Sequence, residues 1–315
     1  MHIRCTKHHL LEVKMYKDID FLNFQKRFSS EKKCEKFLFE SRWPNGFDCP
    51  KCHGKKYCFI SSRGLYQCTD CRYQCSLKVG TIFQKSKTPL FKWFWMIFLL
   101  SQSKNGYSAL SLTRLLSISY WTALSMSHKI RTAMAARDAN YQLAGLIEID
   151  DAYFGGQRAS GKRGRGAENK TVVIVGVQLT KNDKPQYTSM IAVEDLLEDT
   201  VARTAKEQVK TGSRLKTDGF STFKVLEKYE YKHEPIIIGD PKNASKLLHW
   251  VHIMISNAKA VYRGTHHGVS DKHLQKYLSE FCYRFNRRFN PNQLFDRLLH
   301  ACIGSEPVSI AELFA

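Results

Sequence analysis

The sequence predicts an α/β protein in which a cysteine module and a helical segment precede a mixed layer of strands and helices. Three observations predict it. Two C-x-x-C pairs lie close together between residues 49 and 71. Apolar residues between about 89 and 137 recur at helical spacing. From about residue 145 the texture changes to apolar strands followed by helices, which suggests an α/β layer structure for 141–290.

The 315 residues carry 49 Lys plus Arg against 29 Asp plus Glu, a formal net charge of +20. Residues 1–140 hold 24 basic and 9 acidic side chains, and the remainder holds 25 and 20. A surplus concentrated in one part points to a polyanionic partner, nucleic acid being the usual one, against the plainer reading of a generically basic surface. With 43% hydrophobic and 12% aromatic residues, the chain can bury a sizeable core, which excludes wholesale disorder. The polar start Met1-His2-Ile3-Arg4 lacks the apolar stretch of an export leader. The most apolar run, Phe91 to Leu100, contains a lysine and falls short of the ~20 residues of a membrane span. A reducing cytoplasm is therefore expected, with no membrane partner, and clustered cysteines in that setting tend to be metal ligands.

Element by element, residues 17–41 read as short helices closed by the turn Trp43-Pro44-Asn45-Gly46. Thr88-Pro89 starts an aromatic helix to about 103, which Asn105-Gly106 breaks. Residues 107–137 read as helix, turn, helix, with Leu112, Leu115 and Leu116 on one face and Ser117-Ile118-Ser119 as the turn. The second helix offers small polar and aromatic groups near its start, as a groove-reading helix would, although many helical hairpins share the pattern. Strands are expected at 146–150, 171–177, 187–193 and 213–217, with helices at 196–210, 244–263 and 271–289. The resulting division is a helical segment (1–46), a cysteine ribbon (47–78), a helix-turn-helix-like segment (79–140), the α/β unit (141–290) and a C-terminal tail (291–315).

Cys49-Pro50-Lys51-Cys52 and Cys68-Thr69-Asp70-Cys71 are separated by 15 residues. Each pair can form a tight knuckle, and four thiolates complete a tetrahedral zinc shell at about 2.3 Å from the metal. The intervening residues read as a short hairpin, so Cys49, Cys52, Cys68 and Cys71 are expected to hold a structural zinc. Cys58 and Cys75 are spare. The rival reading, a pair of redox dithiols, calls for a βαβ pattern that is missing here. A chelator is expected to unfold 47–76 while sparing the strands after 145.

Carboxylates end two of the expected strands, at Glu148-Ile149-Asp150-Asp151 and at Thr217-Asp218-Gly219. Alternation puts Glu148 and Asp150 on one face and Ile149 and Asp151 on the other. Carboxylates at neighbouring strand ends can hold divalent cations that act on a phosphodiester, although a single Asp at a strand end is more often a turn residue. His252, Ser256 and Lys259 recur at i, i+4 and i+7, on one helical face. His252 could reach a metal and Lys259 a phosphate; alone, each reads as a structural histidine and a solvated charge.

The combination resembles the zinc-ribbon DDE transposases of bacterial insertion sequences, those with an ISXO-like transposase domain. The matching stretches are Arg42-Trp43-Pro44-Asn45-Gly46-Phe47, Glu148-Ile149-Asp150 with Tyr153-Phe154-Gly155-Gly156, and Gly161-Lys162-Arg163-Gly164-Arg165-Gly166. They continue with Thr217-Asp218-Gly219, Lys259 with Gly264 to Ser270, and His273 to Phe281 with Arg284-Phe285-Asn286-Arg287-Arg288. The resemblance runs from about residue 20 to 290. It implies an RNase H-like catalytic domain, and it carries the first acidic ligand onto Asp150 and the second onto Asp218. The third, commonly Glu and seven residues before the helix lysine, falls on His252, a departure from three carboxylates that some relatives share. Imidazole suits Mn²⁺ better than Mg²⁺. Asp240, Asn257 and Glu280 are fallback candidates for that role.

The expected activity is metal-dependent DNA cleavage followed by strand transfer, with Mg²⁺ or Mn²⁺ as catalytic ions and double-stranded DNA, both element ends and target, as partner. Lys162, Arg163 and Arg165 are expected to meet phosphates, as are Arg284, Arg287 and Arg288, whose alternative is a solvated surface. The ribbon and the helical hairpin are expected to recognise terminal repeats, and paired-end cutting implies a homodimer or higher assembly. Two rivals remain: a catalytically inactive zinc-ribbon binding protein derived from a transposase, and a nuclease or resolvase without strand transfer.

Overall fold

The computed structural model describes residues 20–155, 170–236 and 248–314. Two short helices open it, α1 (Phe21–Arg27) and α2 (Glu31–Arg42), each capped by the side chain ahead of it, Asp20 and Ser30. A small antiparallel sheet follows in the order β1 (Tyr57–Ile60), β2 (Leu65–Cys68), β3 (Gln74–Ser76). The expected hairpin is present, and the third strand after the second cysteine knuckle was not foreseen.

Helix α3 (Leu90–Gln102) has no side-chain cap of its own. Instead the Glu31 carboxylate, reaching from α2, accepts from Leu90 N at 2.7 Å and Phe91 N at 2.8 Å. Helices α4 (Ala109–Leu116) and α5 (Tyr120–Asp138) are joined by three residues, with Ser117 in the left-handed conformation. Leu112 and Leu116 are buried, but Leu115 points outward at 55% exposure, because the packed face of this short helix is narrower than its apolar pattern. Helix α5 is not a free reading helix. From Ala123 to Met134 most of its side chains are buried, and among its aromatics only Tyr120 and Trp121 near the start are exposed.

The N-terminal helices, the ribbon and α5 share one hydrophobic core. Phe24, Phe28, Leu38, Trp93, Phe94, Met126 and Ile130 are in it, and so are Phe47, Cys49, Cys68 and Cys75 of the ribbon. The segment after 290, expected as a tail, is instead helical. Helix α9 (Leu294–Gly304) inserts Phe295, Leu298, Leu299 and Cys302 into this same core, and a last short helix α10 (Ile310–Phe314) packs near the start of α5. The sequence signal was there, since Leu294, Phe295, Leu298, Leu299 and Cys302 recur at helical spacing.

The second sheet has the order β6-β5-β4-β7-β8. Its strands are β4 (Leu146–Phe154), β5 (Thr171–Leu179), β6 (Pro185–Val193), β7 (Arg214–Asp218) and β8 (Lys232–Ile236). The pairs β4–β5 and β5–β6 are antiparallel hairpin neighbours, whereas β4–β7 and β7–β8 are parallel. Parallel neighbours need a crossover, supplied by α6 (Glu198–Gln208) and by a 3₁₀ helix over Ser221–Tyr229 that the sequence had not suggested. One face of the sheet packs Ile147, Ile149 and Leu215 against α6 and against Phe223 of the 3₁₀ helix. The other packs Ala152, Phe154, Val173 and Val175 against α7 (His249–Val261) and α8 (Asp271–Asn286).

The two cores meet across a buried ion triad. Glu280 of α8 accepts from Arg131 Nε of α5 at 2.6 Å and pairs with Arg284, all three being buried. Gly106 closes over it with φ +77°; a Cβ there would meet Arg284 Nη1 at 2.7 Å and Glu280 Oε1 at 2.8 Å, so only glycine fits. Among the described residues, no helix is long and apolar enough to cross a membrane.

Candidate active site

The two cysteine knuckles are built alike. Cys49 N donates to Gly54 O and His53 N to Cys49 O, while Cys68 N donates to Tyr73 O and Arg72 N to Cys68 O. His53 and Arg72, each one residue after the pair, take left-handed φ near +60°. The four sulfurs lie within 4.8 Å of one another, with 3.6 Å between Cys49 and Cys71 and between Cys52 and Cys68. A tetrahedral ion with bonds of about 2.3 Å needs sulfur–sulfur edges of about 3.8 Å, so the cluster fits zinc. Four protein ligands leave no open position, and such a metal holds the fold and does no chemistry. Gly54 lets the knuckles approach, since a Cβ would come within 2.2 Å of Asp70 Oδ2 and 3.0 Å of Cys68 Sγ. The spare Cys75 is buried, while Cys58 is exposed on β1.

The acidic site is made where β4 outruns its parallel neighbour. Pairing of β4 with β7 ends at Ile149 opposite Thr217, so Asp150 and Asp218 come next on adjacent strands. Oxygens of Asp150, Asp151 and Asp218 all lie within 4.8 Å of one another. Asp150 is buried, Asp151 and Asp218 half-buried. His252 on α7 places Nδ1 3.5 Å from Asp150 Oδ2. Asp150 and Asp218 thus converge as the sequence implied, with His252 beside the first.

Hydrogen bonds hold these groups in place. Asp150 Oδ1 accepts from Asp151 N at 2.9 Å, and Asp218 Oδ1 from Phe220 N at 3.2 Å, an Asx-type turn after the strand. Thr217, fully buried, donates its hydroxyl to the Asp218 carbonyl and pairs at 2.8 Å with His233 Nε2, whose Nδ1 meets Glu227 at 3.0 Å. The chain Thr217–His233–Glu227 has the spacing of a hydrolytic triad, but with no solvent access to the hydroxyl it stiffens the strand end that carries Asp218. The Lys259 ammonium lies 5.5 Å over the Phe154 ring. Burial, then Arg263 and Lys170, push its pKa down, and Asp150 opposes them.

Sequence reasoning missed Asp151, because strict alternation turns it to the opposite face; where β4 runs on beyond its pairing with β7 its carboxylate still reaches the group. It also missed His233 and Glu227, which carry no motif. Several expected residues are engaged elsewhere. Glu280 is locked between two arginines and is not a third ligand, and Asn257 is exposed on α7. Arg284 belongs to the same buried triad. Arg287 pairs with Asp138 at 2.6 Å and stacks 3.7 Å from the Tyr283 ring; Arg288 donates to the carbonyls of Gln186, Pro185 and Phe285. The expected outward arginine set is thus corrected: the packing of α8 on β6 and α5 turns these cations inward. Lys162, Arg163, Arg165 and Asp240 lie outside the described residues.

Residues 142–286 match the ISXO2-like transposase domain, and residues 29–74 match the transposase zinc-ribbon domain. An uncharacterized protein in transposable element ISH50 of Halobacterium salinarum is 27% identical over 280 residues, covering 82% of this chain and 92% of that protein. Among solved structures, a pre-cleavage Mos1 transpososome gives a TM-score of 0.29 at 12% identity over 67% of this chain and 79% of that one. A simian T-cell lymphotropic virus intasome in complex with PP2A regulatory subunit B56 gamma gives 0.29 at 14% identity, over 54% and 63%. The two matched models, a transposase domain and a transposase zinc ribbon, fall on the stretches whose motifs resemble the zinc-ribbon DDE transposases.

Proposed function

We propose that this chain is a transposase that binds the ends of an insertion sequence and catalyses metal-dependent DNA cleavage and strand transfer from an RNase H-like domain. The convergence of Asp150 and Asp218, each just past the last paired residues of two parallel strands, carries the reading. The strand order supports the fold, with an antiparallel run of three strands continued by two parallel ones and acids on the first and fourth in chain order. The three carboxylates of Asp150, Asp151 and Asp218 make a donor set that suits Mg²⁺ or Mn²⁺. Divalent cations bound there would activate a water or a DNA 3′-hydroxyl and stabilise the leaving oxygen of an in-line displacement.

The chain's own groups have separable tasks. Asp150 and Asp218 supply negative charge at one point, His252 flanks Asp150, and the Lys259 ammonium offers a cation to a phosphate without hydrogen-bond forking. The basic N-terminal part gives DNA affinity. Its ribbon exposes Tyr57 and Phe59 beside Lys51, Lys55 and Lys56, an aromatic and cationic surface suited to a DNA backbone. Cutting two ends requires at least a homodimer on DNA. We place the activity in the cytoplasm, where the zinc thiolates escape oxidation.

The test is a cleavage and strand-transfer assay with end-containing DNA, a target plasmid and Mg²⁺ or Mn²⁺. Wild type is expected to nick and to give joined product, and Asp150→Ala and Asp218→Ala are each expected to fall to background. Activity retained in either variant rejects the assignment; nicking without joined product points to a nuclease.

A further inference from the structure

We infer that Glu148 is a positioning residue of the acidic site: its carboxylate fixes the register of α7 on the sheet and so sets where His252 stands against Asp150. This rests on the metal-site reading above and names the group that assembles it. Glu148 is buried on β4, two residues before Asp150 and therefore on the same face. Its Oε2 accepts from both Trp250 N and Val251 N, each at 2.9 Å. Helix α7 has no side-chain cap of its own and no acid in its first turn, so Glu148 does the capping from another element. One strand thus holds both the cap and the aspartate, and one helix holds both the capped N–H groups and the histidine. A slip of one residue would move α7 by about 1.5 Å and rotate it by about 100°, taking His252 off Asp150.

A second anchor acts on the same turn. Trp250 Nε1 donates to Asp183 O at 2.6 Å, so the start of α7 is held to β4 on one side and to the β5–β6 turn on the other. The protein also contains its own control. Glu31 also caps a helix from another element, its Oε1 accepting from Leu90 N and its Oε2 from Phe91 N of α3, but it belongs to the N-terminal core and not to the acidic site.

The experiment measures Mn²⁺ affinity of the full-length, zinc-loaded chain by calorimetry, alongside thermal melting. Glu148→Ala and Glu148→Asp, the latter keeping the charge but losing reach, are expected to weaken Mn²⁺ binding about tenfold or more. Glu148→Gln is expected to restore it to within about twofold, since both bonds go to one oxygen that an amide carbonyl can replace. Glu31→Ala is expected to lower the melting temperature without changing Mn²⁺ affinity. Unchanged affinity in Glu148→Asp, or no recovery in Glu148→Gln, overturns the inference, and these two decide it even if Glu148→Ala does not fold. Equal weakening in Glu31→Ala overturns it as well, because lost stability alone would then explain the effect. The Asp150→Asn, Asp218→Asn double variant separates the two levels. Loss of binding there, with Glu148 variants normal, sinks only the positioning role; full binding there sinks the metal site and this inference together.

Discussion

At Arg287 a cation that looked available to a phosphate is spent inside the protein, on Asp138 and on the face of Tyr283. Removing it leaves the Asp138 carboxylate half-buried without its partner, so Arg287→Ala is expected to cost about 1–3 kcal/mol of stability. A phosphate-contacting arginine would instead lower the salt slope of DNA binding by about one. Unfolding curves and a salt titration of DNA affinity check both at once, with the slope expected to stay at the wild-type value. The same contrast explains what could be read of the site. Asp218 ends β7 as its local pattern suggests, whereas Asp150, expected at a strand end, lies inside β4, which runs on to Phe154. Asp151 was assigned by alternation alone, and the role of Glu148 depends on a helix about a hundred residues away, which no local pattern records.

Among the elements, the ribbon and α9 show how far the helical core reaches. Phe39 and Trp43 of the α2 region pack against Tyr66 of β2, at 5.2 and 5.6 Å between ring centroids, and Cys49 and Cys68 lie in the core itself. Zinc removal is therefore expected to loosen α2 together with β1–β3, beyond the ribbon boundaries read from the sequence, while β4–β8 stay protected. Hydrogen exchange before and after chelation checks it. Exchange rising in β1–β3 alone would show the ribbon to be independent. Phe295 of α9 packs edge-on to Phe24 and tilted against Phe28, fully buried, and Phe295→Ala is expected to cost about 3–5 kcal/mol in a denaturant titration. Long apolar elements such as α3, β5 and β6 were legible because burial dictates their pattern. Short β8, with a proline and charged neighbours, and the 3₁₀ helix before it owe their form to the parallel pairing with β7, a tertiary cause.

Across the whole molecule, the link between the helical core and the sheet is a set of buried charges. Burial alone would raise the Glu280 carboxyl, but Arg131 and then Arg284 outweigh it and hold it down at about 2. A carboxyl lowered in the folded state stabilises fully above its unfolded value, here near 4.5, and that contribution is lost as pH falls toward about 2. Stability is therefore expected to drop between those values. Glu280→Gln, which leaves two guanidiniums buried without their anion, is expected to cost about 3–5 kcal/mol at neutral pH and to flatten the acid limb of the profile. Melting temperatures from pH 2 to 7 for the two proteins measure this. The account as a whole turns on one meeting point, the stretch of β4 just beyond its pairing with β7, beside the last residue of β7. The most direct measurement is an anomalous difference map from crystals soaked in Mn²⁺. The expected result is a peak within coordination distance of both Asp150 and Asp218. A peak bound by one of them alone, or none at either, would contradict it.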